Sequence, residues 1–289
     1  MQPGLDSGLW SPRRRRIRRP SDAEIQALGV GCGVGFGPYV PSGGVAPFTP
    51  ASLSPFAWWR ADLGVTLVSG RVESWTDQQN GHLLVQTTAA NQPVVDAATL
   101  GGQASLYFDN TTLQNLVSNE ASSVWTFLHD GTGCDVFLVL RVGAPAPADT
   151  VPLATATIAG GTSLGSLMLV ENAIYYFEAG NGAASVVASP GTGAASAPSA
   201  TNLLIESAYK TGQATKDDLD YIDSVNKDGA NNTAVPSTAA PGSSLTLGSL
   251  GGGAQRFFGY LAEVVILKRL ATPAERASMQ TYVHNRCGI

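Results

Sequence analysis

Phe258 to Leu267 is a nearly continuous apolar run, with Val264, Val265 and Ile266 at its centre and only Gly259 and Glu263 interrupting it. That length and β-branched content predict a strand buried on both faces rather than a helix. Thr272-Pro273-Ala274-Glu275 follows. It is a capping box with proline at the first helical position, so a helix is predicted over 273–285. Its apolar face carries Met279, Tyr282 and Val283, and Arg276, Gln280 and Arg286 fall largely off that face.

Upstream the pattern is of short strands with turn punctuation. Val65 to Val68 and Arg71 to Trp75 flank Ser69-Gly70, a hairpin signal. Val94-Val95, Ala104 to Phe108 and Leu113 to Val117 are further strands. Val136 to Val142 reads as the strongest central strand, apolar on both faces up to Arg141. Leu167 to Val170 and Ala173 to Phe177 flank Glu171-Asn172 as a second hairpin. Asn202 to Tyr209 and Ser244 to Gly248 complete the set, with an acidic window over 217–228 between them. Strands at this spacing with one late helix imply an all-β fold, an antiparallel β-sandwich of jelly-roll type.

Residues 1–52 follow a different pattern. Gly and Pro open the segment, then come Arg13, Arg14, Arg15, Arg16, Arg18 and Arg19, and Ser21-Asp22-Ala23-Glu24 is a capping box that predicts a short helix over 21–28. The glycine alternation over 29–37 lacks the Gly-Lys-Ser/Thr ending of a phosphate loop and reads as a connector. The expected organisation is an extended basic arm, 1–52, before a sandwich, 53–289. Residues 1–19 hold six arginines and one acid, so a chain of net charge −5 divides into +5 there and −10 over the rest. The acidic body is a poor nucleic-acid partner, and the arm suits docking to an acidic protein surface through arginine–carboxylate pairs. No run reaches the ~18 apolar residues of a membrane span. Three cysteines, Cys32, Cys134 and Cys287, have no metal or redox spacing and are expected as buried thiols.

Several motifs in order carry a resemblance: Trp58-Trp59-Arg60-Ala61-Asp62, Val72 to Gln78, Asn80-Gly81-His82, Asn91-Gln92-Pro93, Leu106-Tyr107-Phe108-Asp109, and the closing strand and helix. Over Ser54 to Ile289 the chain resembles concanavalin A-like lectin/glucanase domains of laminin-G type, common in phage and bacterial surface proteins. The resemblance implies a phage virion structural protein, a capsid decoration, head fibre or tail component. Residues 1–52 would anchor it to a major capsid or tail protein, with several copies assembled as a homo-oligomer on the virion surface. The alternative is an extracellular, calcium-dependent carbohydrate-binding module that reads a host-surface glycan.

Glucanases of this superfamily place three acids on one strand to flank the scissile bond. No such triad is present: Glu171 and Glu178 straddle a turn, and Glu206 stands alone. His129, read as a surface loop residue near the buried Cys134 thiol, forms no nucleophile–base motif. The expectation is a chain that is not an enzyme. Calcium would take loop oxygens, for which Asp77, Asn80, Asp109 and Asn110 are the candidates, although the same residue types form turns without metal. Trp75, Trp125 and Tyr221 are the candidate sugar platforms, and Trp58 and Trp59 are expected to pack the start of the domain. Glu263 and Glu275 are assigned to turn and cap roles.

Overall fold

The computed structural model describes residues 47–145, 148–159, 162–171, 174–188, 200–214, 216–223, 225–227 and 233–289. The arginine run, Cys32 and the helix expected over 21–28 lie outside them, as do parts of the hairpin turn after Glu171 and of the acidic window. Pro47–Ile289 is one compact unit.

Within it, one sheet contains β1 (Ala57–Arg60), β17 (Gly259–Leu267), β8 (Cys134–Val142), β13 (Asn202–Tyr209), β14 (Asp218–Ile222) and β15 (Val225–Asn226), paired antiparallel in that order. The second sheet runs β2 (Val65–Val68), β3 (Arg71–Thr76), β4 (Leu83–Val85), β7 (Leu116–Ser118), β16 (Thr246–Leu247), β9 (Asp149–Ala154), β10 (Leu164–Glu171), β11 (Ile174–Asn181) and β12 (Ser185–Ala188). The strands β5 (Val94–Leu100) and β6 (Gln103–Phe108) bridge the two sheets, because β5 pairs with β3 and β6 while β6 pairs with the first residues of β17. The predicted antiparallel sandwich is what forms.

Alternation sorts each strand between two environments. On β8, Val136, Leu138, Leu140 and Val142 face the space between the sheets, where they meet Trp59, Trp75, Leu84, Leu116, Met168, Val170, Phe177 and Leu247. The intervening Phe137 and Val139 face outward and are covered by α1 (Pro273–Cys287), through Met279, Val283 and Cys287. This double cover explains why β8 and β17 read as unbroken apolar runs. On the opposite side of the molecule, the outward residues of β9 and β10 build a smaller cluster of Val151, Ala154, Leu167, Leu169 and Leu250.

The capping box forms as its sequence predicts. Thr272 Oγ1 accepts from the Glu275 amide, and the Glu275 carboxylate accepts from the Thr272 amide at 2.8 Å. Arg269 pairs with the same carboxylate at 2.7 Å and holds it at a pKa of about 2. Gly288, left-handed at φ 66°, ends the helix.

Three expectations for the helix and its neighbours are corrected. Arg276 and Arg286 do not point away from the sheet, because buried carboxylates beneath the helix draw them in. Glu206, which looks isolated along the chain, accepts from Arg276 Nε at 2.6 Å, and Asp135 lies 3.9 Å from the same guanidinium. Glu263 serves no turn: at 1% exposure in the middle of β17, it accepts from Trp58 Nε1 at 2.6 Å and Tyr282 Oη at 3.1 Å, with Arg286 at 3.5 Å.

Candidate functional site

The outer face of the second sheet carries a groove of about 350 Å³ across β9, β10 and β11. Register places its residues. Leu167 opposes Glu178, Leu169 opposes Tyr176, and Glu171 has Ile174 on one side and Asp149 on the other. Side chains directly opposite one another share a face, so Leu169 and Tyr176 lie centrally, with Glu178 towards one end and the Asp149–Glu171 pair at the other. Ala159 and Gln255 close the sides from loops.

The chemistry is that of an acceptor-rich cleft with an aromatic wall. Glu178 is 4% exposed and accepts from Ser163 Oγ at 2.9 Å. Burial, and after it the Glu171 charge, raise the pKa of the Tyr176 phenol. Gln255 is held in the left-handed region at φ 45°, a strained conformation for a residue with a side chain. Its Oε1 is buried and accepts no hydrogen bond. Among the described residues no lysine or arginine lines the groove. Polar groups convergent on a small apolar floor beside a ring are the usual make-up of a small-ligand cleft.

A larger groove, about 610 Å³, runs between α1 and the segment Pro47–Thr49, with Phe48 and Tyr282 edge to face at 6.3 Å. Its two guanidinium groups are already engaged. Arg60 pairs with Asp62 at 2.8 Å, and Arg286 pairs with Asp62 at 2.9 Å and lies beside Glu263. That groove presents hydroxyls and apolar walls, with its charges spent inside the fold.

The sequence-predicted site residues do not assemble. Trp75 and Trp125 are each 0% exposed and belong to the inter-sheet core, so neither is a sugar platform. Trp75 Nε1 donates to the Arg60 carbonyl at 2.9 Å, a packing role like that of Trp58 and Trp59. Tyr221 is half-buried beneath Arg276, whose Cζ lies 3.9 Å from the ring centroid, so that face of the ring is taken. His129, expected on the surface, is 0% exposed and packs under the loop at Ala239. Cys134 and Cys287 are buried free thiols.

The calcium candidates do not fit a cation either. Asp77 accepts from the amides of Asn80 at 3.0 Å and His82 at 2.6 Å, which makes it the organiser of its own turn. Asn80 directs its amide nitrogen to the Pro55 and Phe56 carbonyls. Asp109 accepts from the amide and hydroxyl of Thr111 in a separate loop that also holds Asn110. Among the described residues no group of three or more acidic, histidine or cysteine side chains is placed to hold a metal. Sequence reasoning missed the groove because its residues come from three strands and two loops. Only the Glu171–Tyr176–Glu178 stretch is visible along the chain, as part of a hairpin whose two glutamates form no catalytic triad.

The fold and site define a two-sheet antiparallel β-sandwich with an acidic, aromatic-walled cleft on one outer face. No protein-family profile and no characterised protein sequence matches the chain. Solved structures do match in shape. The binding domain of botulinum neurotoxin serotype G superposes with a TM-score of 0.53 at 10% identity, covering 79% of this chain and 51% of the toxin domain. Trypanosoma rangeli sialidase in complex with sialic acid gives a TM-score of 0.49 at 12% identity, covering 83% of this chain and 35% of the sialidase. The chain thus spans about a third of the sialidase and about half of the toxin domain. The toxin likeness supports the β-sandwich and is compatible with a concanavalin A-like fold. The expectation that the chain is not an enzyme is withdrawn, because enzymes stand among the proteins of similar shape and an identity this low speaks to fold alone.

Proposed function

We propose that the chain is a carbohydrate-binding β-sandwich whose ligand lies in the groove across β9, β10 and β11. The observation that carries this is the meeting of Tyr176 with Asp149, Glu171, Glu178 and Gln255 on an apolar floor. Sugar hydroxyls donate to carboxylate and amide oxygens, and the C–H face of a pyranose packs on an aromatic ring. The toxin neighbour is itself described as a receptor binding domain. A glycan array probed with the full chain tests the proposal. Binding is expected to survive chelator, and Tyr176→Ala is expected to weaken it roughly tenfold, the worth of one aromatic contact. If no glycan binds, or if Tyr176→Ala binds as well as the parent chain, the proposal is wrong.

A second reading concerns where the sandwich is carried. The charge division, +5 over residues 1–19 against −10 over the rest, favours a basic segment that docks on an acidic surface. With the resemblance to phage surface proteins, it supports display on a virion surface, in several copies, with residues 1–52 attached to a capsid or tail protein. Deleting residues 1–50 is expected to abolish incorporation into particles while the sandwich stays folded by circular dichroism. Normal incorporation of the deleted chain would exclude anchoring by this segment.

A further inference from the structure

We infer that the groove selects glycans bearing free protonated amino groups, such as de-N-acetylated amino sugars, and discriminates against anionic saccharides. The inference rests on the carbohydrate reading above and adds the charge of the ligand to it.

Asp149 and Glu171 are direct cross-strand partners on β9 and β10. Two carboxylates so placed repel each other, and a sheet normally sets an opposite charge or a neutral residue there. Neither makes an ion pair with a lysine, arginine or histidine among the described residues, whereas Asp62, Asp135, Glu206, Glu263 and Glu275 all pair with an arginine. The fold brings arginines to the buried acids Asp135, Glu206 and Glu263, whereas no described cation is set against this pair at the mouth of the groove. Glu178 adds a third carboxylate, the Gln255 Oε1 atom adds an unengaged acceptor, and among the described residues no cation lines the cavity.

An ammonium group offers three donors and one positive charge, and so answers both the charge and the surplus of acceptors. A saccharide carboxylate or sulfate would meet only like charge. Tyr176, central on the same face, gives the sugar ring a surface to pack on, and about 350 Å³ is the small end of the range for ligand pockets. A divalent cation held by three or more side chains does not suit the groove, since no such group is gathered there among the described residues.

The test is isothermal titration of the full chain near pH 6, where the amine is protonated, with three trisaccharides: one of glucosamine, one of N-acetylglucosamine and one of glucose. Each partly exposed carboxylate–ammonium contact contributes up to ~1 kcal/mol. The glucosamine trisaccharide should therefore bind roughly fivefold tighter than the acetylated one. Glu171→Gln and Asp149→Asn should each remove much of that preference. Glu73→Gln, a charge change on β3 outside the groove, should leave it intact. Equal binding of the three sugars overturns this inference while leaving the carbohydrate reading in place. A preference that all three variants diminish alike overturns it too, because the selectivity then belongs to the acidic body as a whole. If none of the three sugars binds and the glycan array is also blank, the carbohydrate reading falls with it.

Discussion

Glu263 gives the fold a pH dependence of definite sign. Its carboxyl is 1% exposed, and burial raises its pKa from 4.5 to about 7 against the pull of Trp58, Arg286, Arg60 and Tyr282. Between those two values the folded chain holds a proton that the unfolded chain has released. Stability is therefore greatest near or below pH 4.5 and falls as pH rises towards 7. A displacement of about 2.5 units at ~1.4 kcal/mol per unit amounts to about 3 kcal/mol. Glu263→Gln replaces the acid with a neutral group of the same shape that still accepts from Trp58 and Tyr282, and Arg286 keeps Asp62 at 2.9 Å. Urea unfolding of both chains from pH 4.5 to 8 should give equal stabilities at the acid end. The variant should lead by about 3 kcal/mol above pH 7. The Asp135–Glu206 pair, also raised by burial, contributes with the same sign but equally to both chains, so it cancels in the difference. Parallel curves, or a variant weaker at pH 8 than its parent, would refute the reasoning. Either result would mean that Glu263 is ionised in the fold and that its attraction to Arg286 outweighs the cost of burial.

Thr272→Ala removes the oxygen that accepts from the Glu275 amide. It should cost about 1 kcal/mol in urea unfolding at neutral pH, and a change indistinguishable from zero would show that the Arg269–Glu275 pair alone holds the helix start. Gly101→Ala would bring a Cβ to 1.8 Å from the Cys287 carbonyl oxygen at a position with φ of 63°. The strain, more than ~1 kcal/mol from the left-handed backbone before any clash, should lower the melting temperature and displace the end of α1. Native-state hydrogen exchange of the α1 amides reads that displacement, and unchanged protection would refute it. Trp125→Ala empties a site at 0% exposure in the inter-sheet core and should cost about 3–5 kcal/mol, measured by urea unfolding. A loss below ~1 kcal/mol would place Trp125 outside the core.

Local signals in this chain were legible where one element decides its own conformation. The capping box, the two-residue step from Glu171 to its partner Ile174, and the double burial of β8 and β17 all follow from a few consecutive residues. The aromatic candidates misled for a physical reason. A tryptophan followed by a polar loop looks exposed, but strand parity sends Trp75 inward, and the turn held by Asp77 supplies the polarity without opening the site. Acidic residues were harder still. Glu171 and Asp149 are 22 positions apart, Glu206 and Arg276 are 70, and their relation depends on which strands become neighbours and in what register. Register also separates these acids by role. Glu206 and Glu263 come to lie beneath a helix that brings arginines to them, whereas Asp149 and Glu171 come to lie where no described element carries a cation over them. Two acid pairs that look alike in the sequence therefore end as a clamp for α1 in one case and an open, charged groove in the other. The groove is where, among the described residues, the fold sets no cation against its acids.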